Sequence, residues 1–143
     1  MAVEENASSS TLPSRGYVEG APRIFLRLES AAIAIVAILA YRQLGQPWWL
    51  FAALILVPDL SMLGYLAGPR LGAHCYNVVH IYLGPLILVS FGIVTGSSLV
   101  EAVACIWIAH IGIDRLLGYG LKYPQGFAFT HFGLIGLRGG PEN

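Results

Sequence analysis

Residues 71–100 read LGAHCYNVVHIYLGPLILVSFGIVTGSSLV, thirty positions without one Asp, Glu, Lys or Arg. A water-facing element of that length needs charge on its outer side. Crossing about 30 Å of hydrocarbon takes roughly 20 residues at 1.5 Å each, so the stretch holds one crossing and the turn after it. The pattern extends in both directions: between Ser30 and Ile113 the only charged residues are Arg42, Asp59, Arg70 and Glu101. Over all 143 residues, 56% are hydrophobic and 11% charged, against about 25% charged in an ordinary soluble domain. A polar-surfaced soluble domain is excluded. The formal net charge is zero and no run of like charge occurs, so the basic footprint of a nucleic-acid binder is missing as well.

Four spans fit: 24–44, 48–66, 73–94 and 99–117. Their apolar runs are continuous rather than alternating, which selects helices over barrel strands. The expected fold is therefore all-α, a four-helix transmembrane bundle. Arg27 and Glu29 stand in the opening turns of the first span. The second opens with Gln46-Pro47-Trp48-Trp49, a proline suited to a helix start and two indoles suited to the interface, and ends at Gly68-Pro69. Thr95-Gly96-Ser97-Ser98 turns the third into the fourth, which Gly118-Tyr119-Gly120 stops. Residues 1–22 are polar and aperiodic and read as a disordered tail before a membrane domain over 23–137, with 138–143 a C-terminal tail. The tail begins with Glu4 and Glu5 ahead of any apolar run, unlike a secretory signal. Phe127–Leu137 is apolar, too short to span and broken by Gly133 and Gly136, which suggests a short interfacial or re-entrant lid.

Arg15, Arg23, Arg27, Arg70, Arg115, Lys122 and Arg138 fall on one side of such a bundle and Arg42 alone on the other, so both termini are expected in the cytoplasm. The sequon Asn6-Ala7-Ser8 would then escape glycosylation. Cys75 and Cys105 fall at different depths and read as packing thiols rather than a disulfide.

Ionisable groups inside a membrane are costly and are read as site candidates. Threading the spans places Glu29, Asp59, Tyr76, Asn77, His80, His110, Asp114 and Arg115 in the same half of the bilayer, able to build one polar pocket open to the cytoplasmic leaflet. His110 and Asp114 are four apart and share a helix face, as do Tyr76 and His80, with Asn77 three before His80. Pro58 and Pro85 each free a carbonyl near the pocket and bend their helices. Glu101 falls at the far interface.

Arg27-Leu28-Glu29, Pro58-Asp59-Leu60-Ser61-Met62-Leu63-Gly64-Tyr65 with Gly68-Pro69-Arg70-Leu71-Gly72, Tyr76-Asn77-Val78-Val79-His80, and His110-Ile111-Gly112-Ile113-Asp114-Arg115 through Gly118-Tyr119-Gly120-Leu121-Lys122-Tyr123 to Thr130-His131 are ordered motifs. Together, from about Arg27 to Gly136, they make the chain resemble the DUF4260 family of small membrane proteins. The resemblance implies a short multi-helix membrane protein and carries no catalytic residue with it.

Three functions compete. The preferred one is an enzyme using acid and base groups on a lipophilic, isoprenoid or lipid-like substrate, without a cofactor. Asp59 and Glu29 are its acid candidates, His80 its base, and His110, Asp114 and Arg115 an orienting network, with Tyr76, Asn77 and Arg115 on the substrate. The second is a membrane hydrolase holding a divalent metal on Asp59, His80, His110 and Asp114. No HExxH or paired CxxC supports it. The third is a non-catalytic scaffold or partner subunit, in which small residues such as Gly64, Gly68 and Gly112 allow close helix packing or a homodimer.

Overall fold

The structure, a computed structural model, describes residues 16–135. Most of the expected N-terminal tail, the sequon and the residues after 135 lie outside the described residues. The chain is mostly helical: α1 (Gly20–Gln43), α2 (Trp48–Leu54), a 3-10 segment (Val57–Ala67), α3 (Pro69–Val79), α4 (Leu83–Thr95) and α5 (Ser98–Leu117). Three stretches, Gly20–Gln43, Trp48–Ala67 and Pro69–Thr95, are long and apolar enough to cross a membrane. α5, the fourth, has 20 residues but carries Glu101, Asp114 and Arg115. Apolar side chains such as Leu66 and Val94 point outward on all of these helices, as lipid contact requires.

The second and third spans differ from single straight helices. Pro58 has no N–H to give the Leu54 carbonyl, and α2 ends at Leu54; the chain continues as the tighter 3-10 segment. Gly68, with φ +121, then links this segment directly to Pro69, so α3 starts four residues before the expected Ala73. α3 stops at His80, whose N–H is shared between the Tyr76 and Asn77 carbonyls at 2.9 and 3.2 Å, and Pro85 lies in the first turn of α4, where its missing N–H is harmless. Both spans are thus broken at one depth.

Glycines bring the helices together where lipid supplies no hydrophobic drive. α1 lies antiparallel to α5; a Cβ on Gly112 would stand 2.7 Å from the Ser30 carbonyl oxygen and 2.9 Å from the Ala34 Cβ. Gly84 receives the Trp107 ring on α5, and Gly64 meets Cys75 across the 3-10 segment and α3. Gly64 and Gly112 therefore serve contacts within the chain. Tyr41, Ala102, Cys105 and Ile106 form a buried core, with Leu54 and Ile55 at the first break packed against it.

The described part of the C-terminal segment folds as a cap. β1 (Phe129–Thr130) pairs antiparallel with β2 (Gly133–Leu134), and Lys122 bridges to Thr130. Phe132 and Thr130 are buried beneath it. The Val18 N–H donates to the His131 carbonyl at 2.8 Å, and the Leu121 N–H donates to His131 Nδ1, also at 2.8 Å. Burial, helped by the Arg115 guanidinium, pushes the His131 imidazole below its usual 6.5. Below that pH the unfolded chain takes up a proton the docked cap resists, so docking is at full strength above neutrality and weakens as pH falls through 6.5. Exchange of the Leu121–Phe132 amides, corrected for intrinsic rate, should accelerate between about pH 7 and 5, and His131→Gln should flatten that slope.

Candidate metal centre

The two helix breaks, α3 and the last turns of α5 bring four donors together. Asp59 comes from the 3-10 segment, His80 from the end of α3, His110 and Asp114 from one face of α5. One donor atom of each lies within 4.8 Å of the others. His80 Nε2 is 3.1 Å from His110 Nε2, 3.6 Å from Asp59 Oδ1 and 3.5 Å from Asp114 Oδ2. His110 Nε2 is 3.5 Å from Asp59 Oδ1 and 3.7 Å from Asp114 Oδ2. A tetrahedral ion with bonds of about 2.0–2.1 Å requires ligand separations of about 3.3–3.4 Å, and these five straddle that value.

The surroundings set the ring nitrogens for ligation. His80 Nδ1 faces the Tyr76 carbonyl at 2.9 Å; a carbonyl only accepts, so Nδ1 carries the hydrogen and the neutral ring presents the Nε2 lone pair to the cluster. The Tyr76 hydroxyl donates to Asp114 Oδ2 at 2.9 Å and its ring stacks on His80 at 3.6 Å, fixing two donors from one residue. Both imidazoles are only 3% exposed. The carboxylates are more open, Asp59 at 28% and Asp114 at 17%, and both line a cavity of about 390 Å³.

That cavity is roofed by the cap. Lys122, Phe127 and Tyr119 line it with Tyr76 and Met62. Lys122 is 3% exposed, and its ammonium has no hydrogen-bond partner among the described residues; it sits 4.0 Å over the Phe127 ring and 5.0 Å over the Tyr76 ring. Burial pulls its pKa down to about 8, against the pull of Asp114 and Asp59.

Other residues expected at the pocket lie around it. Asn77 uses its side chain on the Lys122 backbone, donating to the carbonyl at 2.8 Å and accepting from the N–H at 2.7 Å. Arg115 donates to the His80 carbonyl at 3.3 Å and lies 4.6 Å over the Tyr82 ring. Glu29 lines a different cavity, of about 200 Å³, with Arg115, Tyr82 and His131. A third cavity, about 430 Å³ and apolar, is lined by Pro58, Val79, Ile106 and Trp107, neighbours in sequence of Asp59, His80 and His110. Lys122 escaped the sequence reading as a site residue; that it is the sole lysine of the chain, in a segment with little other charge, was the available signal.

Comparison with curated proteins and with solved structures finds no match. Residues 23–135 match the family model described as a domain of unknown function, DUF4260. With four-fifths of its length matched, including every residue of the four-donor cluster, the chain belongs to the DUF4260 family.

Proposed function

We propose that this membrane protein is a metal-dependent hydrolase whose centre is one divalent first-row cation held by Asp59, His80, His110 and Asp114. The observation that carries this reading is the shell of five donor separations between 3.1 and 3.7 Å, built from three separate elements with one imidazole tautomer already set by a backbone carbonyl. Two imidazoles and two carboxylates suit zinc, and manganese or iron(II) less closely. A cation there would act as a Lewis acid and make a water acidic enough to attack near neutral pH.

The chain's own groups do the rest. Asp59, the more open carboxylate, has a second oxygen with no hydrogen bond among the described residues, which would take a proton from the attacking water. The water oxygen forms the new bond to an acyl or phosphoryl centre, the bond to the alcohol oxygen breaks, and Asp59 passes the proton to that oxygen. The arginine and lysine distribution favours a cytoplasmic-side location for this chemistry, where an amphiphilic ester is within reach.

Metal analysis of the detergent-purified full chain tests the centre. About one equivalent of zinc should be retained or taken up, removed by chelator and restored by zinc; less than about a tenth after loading overturns the proposal. In nanodiscs, ester or phosphoester hydrolysis should follow zinc through the same cycle. A second reading, cofactor-free acid–base catalysis, draws on the 3.1 Å His80–His110 contact, which in a metal-free protein is a hydrogen bond sharing one proton. Turnover that persists in fully chelated protein would select it.

A further inference from the structure

The charge around the cluster is unbalanced in one direction once a cation is bound. Two carboxylates cancel a divalent ion, and the two imidazoles enter neutral. The Lys122 ammonium lines the same cavity as those carboxylates, is nine-tenths buried or more, and has aromatic rings but no hydrogen-bonding group against it among the described residues. A buried ammonium with unused donors is costly unless an acceptor arrives. Without the cation, Asp59 and Asp114 are its counter-charges; with it, they are engaged and the ammonium is left over.

We propose that the cavity beneath the cap is an oxyanion site that works with the metal centre: Lys122 receives the carboxylate or phosphate group of the substrate. The proposal rests on the metal reading and narrows its substrate to an anionic one. Of the remaining walls, Met62, Phe127 and Ile135 are apolar and Tyr76 and Tyr119 are aromatic, the Tyr76 hydroxyl being spent on Asp114, so the charged group is recognised by the one ammonium on one side and the metal on the other, and the rest of the ligand meets a largely apolar wall. Lysine, as a compact point charge with three rotatable donors, suits either oxyanion.

Equilibrium dialysis of the full chain in detergent, with labelled inorganic phosphate and labelled acetate as probes, tests this. Zinc-loaded protein should bind at least one of them, chelated protein neither. Lys122→Met should weaken that binding by about tenfold or more, the value of one charge-assisted hydrogen bond, while keeping its zinc. Lys122→Arg should recover part of it. The methionine variant is expected to fold at least as well as the parent, since it removes a buried charge and keeps the volume. Zinc bound with neither anion, or anion binding equal in Lys122→Met, overturns the oxyanion site and leaves the metal centre standing; absence of zinc overturns the metal centre itself. Repeating the phosphate arm in nanodiscs separates the sources. Competition appearing only when phosphatidic acid is added to phosphatidylcholine assigns the site to a lipid headgroup, and equal binding in both assigns it to a soluble anion.

Discussion

Replacing His110 by Ala should abolish zinc retention and, with it, the zinc-dependent part of the protein's thermal stability. His110 Nε2 stands within 3.1 to 3.7 Å of the other three donor atoms, so its removal leaves a three-donor site with a gap at its buried face. Loss of one inner ligand costs well over the 10–100-fold typical of losing an outer partner. Tyr76→Phe, which removes only the hydroxyl on Asp114 Oδ2, should therefore weaken zinc by about 10-fold, well short of the His110 effect. The stability readout separates a metal centre from a plain ion-pair cluster. Zinc at about a thousand times its dissociation constant should raise the parent's stability by roughly 4 kcal/mol through mass action. That increment should vanish in His110→Ala. Were the four residues only a charge network, His110→Ala would destabilise the protein by removing one buried partner of two half-buried carboxylates, and zinc would leave parent and variant alike unmoved.

How much of this was legible in the sequence depends on the range over which each signal acts. His110 and Asp114 are four apart on an uninterrupted helix, and the i, i+4 rule places them side by side. Asp59 and His80 required only span counting: their depth follows from 1.5 Å per residue, and depth alone put them level with α5's last turns. Their exact approach did not follow, because it depends on both helices breaking. The prolines at 58 and 85 were visible and read as bends; in the structure α2 ends before the first and the second serves as an opening turn, so the chain leaves helical geometry at 55–56 and 80–82 and carries Asp59 and His80 inward. Glu29 illustrates the opposite case. It shares the right depth but lies on α1, which packs on α5 and lines the smaller cavity with Arg115. Depth is read from one dimension, and azimuth around the bundle is not.

The cap was the least legible part. Strands of two residues carry almost no alternation, and an eleven-residue apolar stretch with two glycines fits an interfacial lid as well as it fits a hairpin. The hairpin is held by a pairing across 45 residues, from Asn77 to the Lys122 backbone, and no local pattern announces a side chain acting as a strand neighbour. The same pairing hid Lys122 and the cavity it roofs.

Asn77→Leu should consequently open the cap while leaving the bundle and its metal in place. The asparagine amide donates to the Lys122 carbonyl at 2.8 Å and accepts from the Lys122 N–H at 2.7 Å, so both backbone groups of one residue depend on it. Leucine keeps the bulk and offers neither. Each orphaned backbone group costs about 1–3 kcal/mol, which sums to roughly 2–6 kcal/mol against cap closure. Amide exchange across Leu121–Phe132 should then rise by about 30-fold or more, with α1 and α5 unchanged. Asn77→Asp should fall between, since its carboxylate still accepts from the N–H but has no donor for the carbonyl. The consequence for the site is a split. Asn77 belongs to α3 and meets His80 only through its backbone carbonyl, which the substitution keeps, so zinc should be retained, whereas phosphate or acetate binding should drop with the displacement of Lys122. Protection unchanged in Asn77→Leu would mean that β1, β2 and Phe132 hold the cap by themselves. Zinc lost together with the cap would mean that the hairpin, and not the helix breaks, positions the carboxylates.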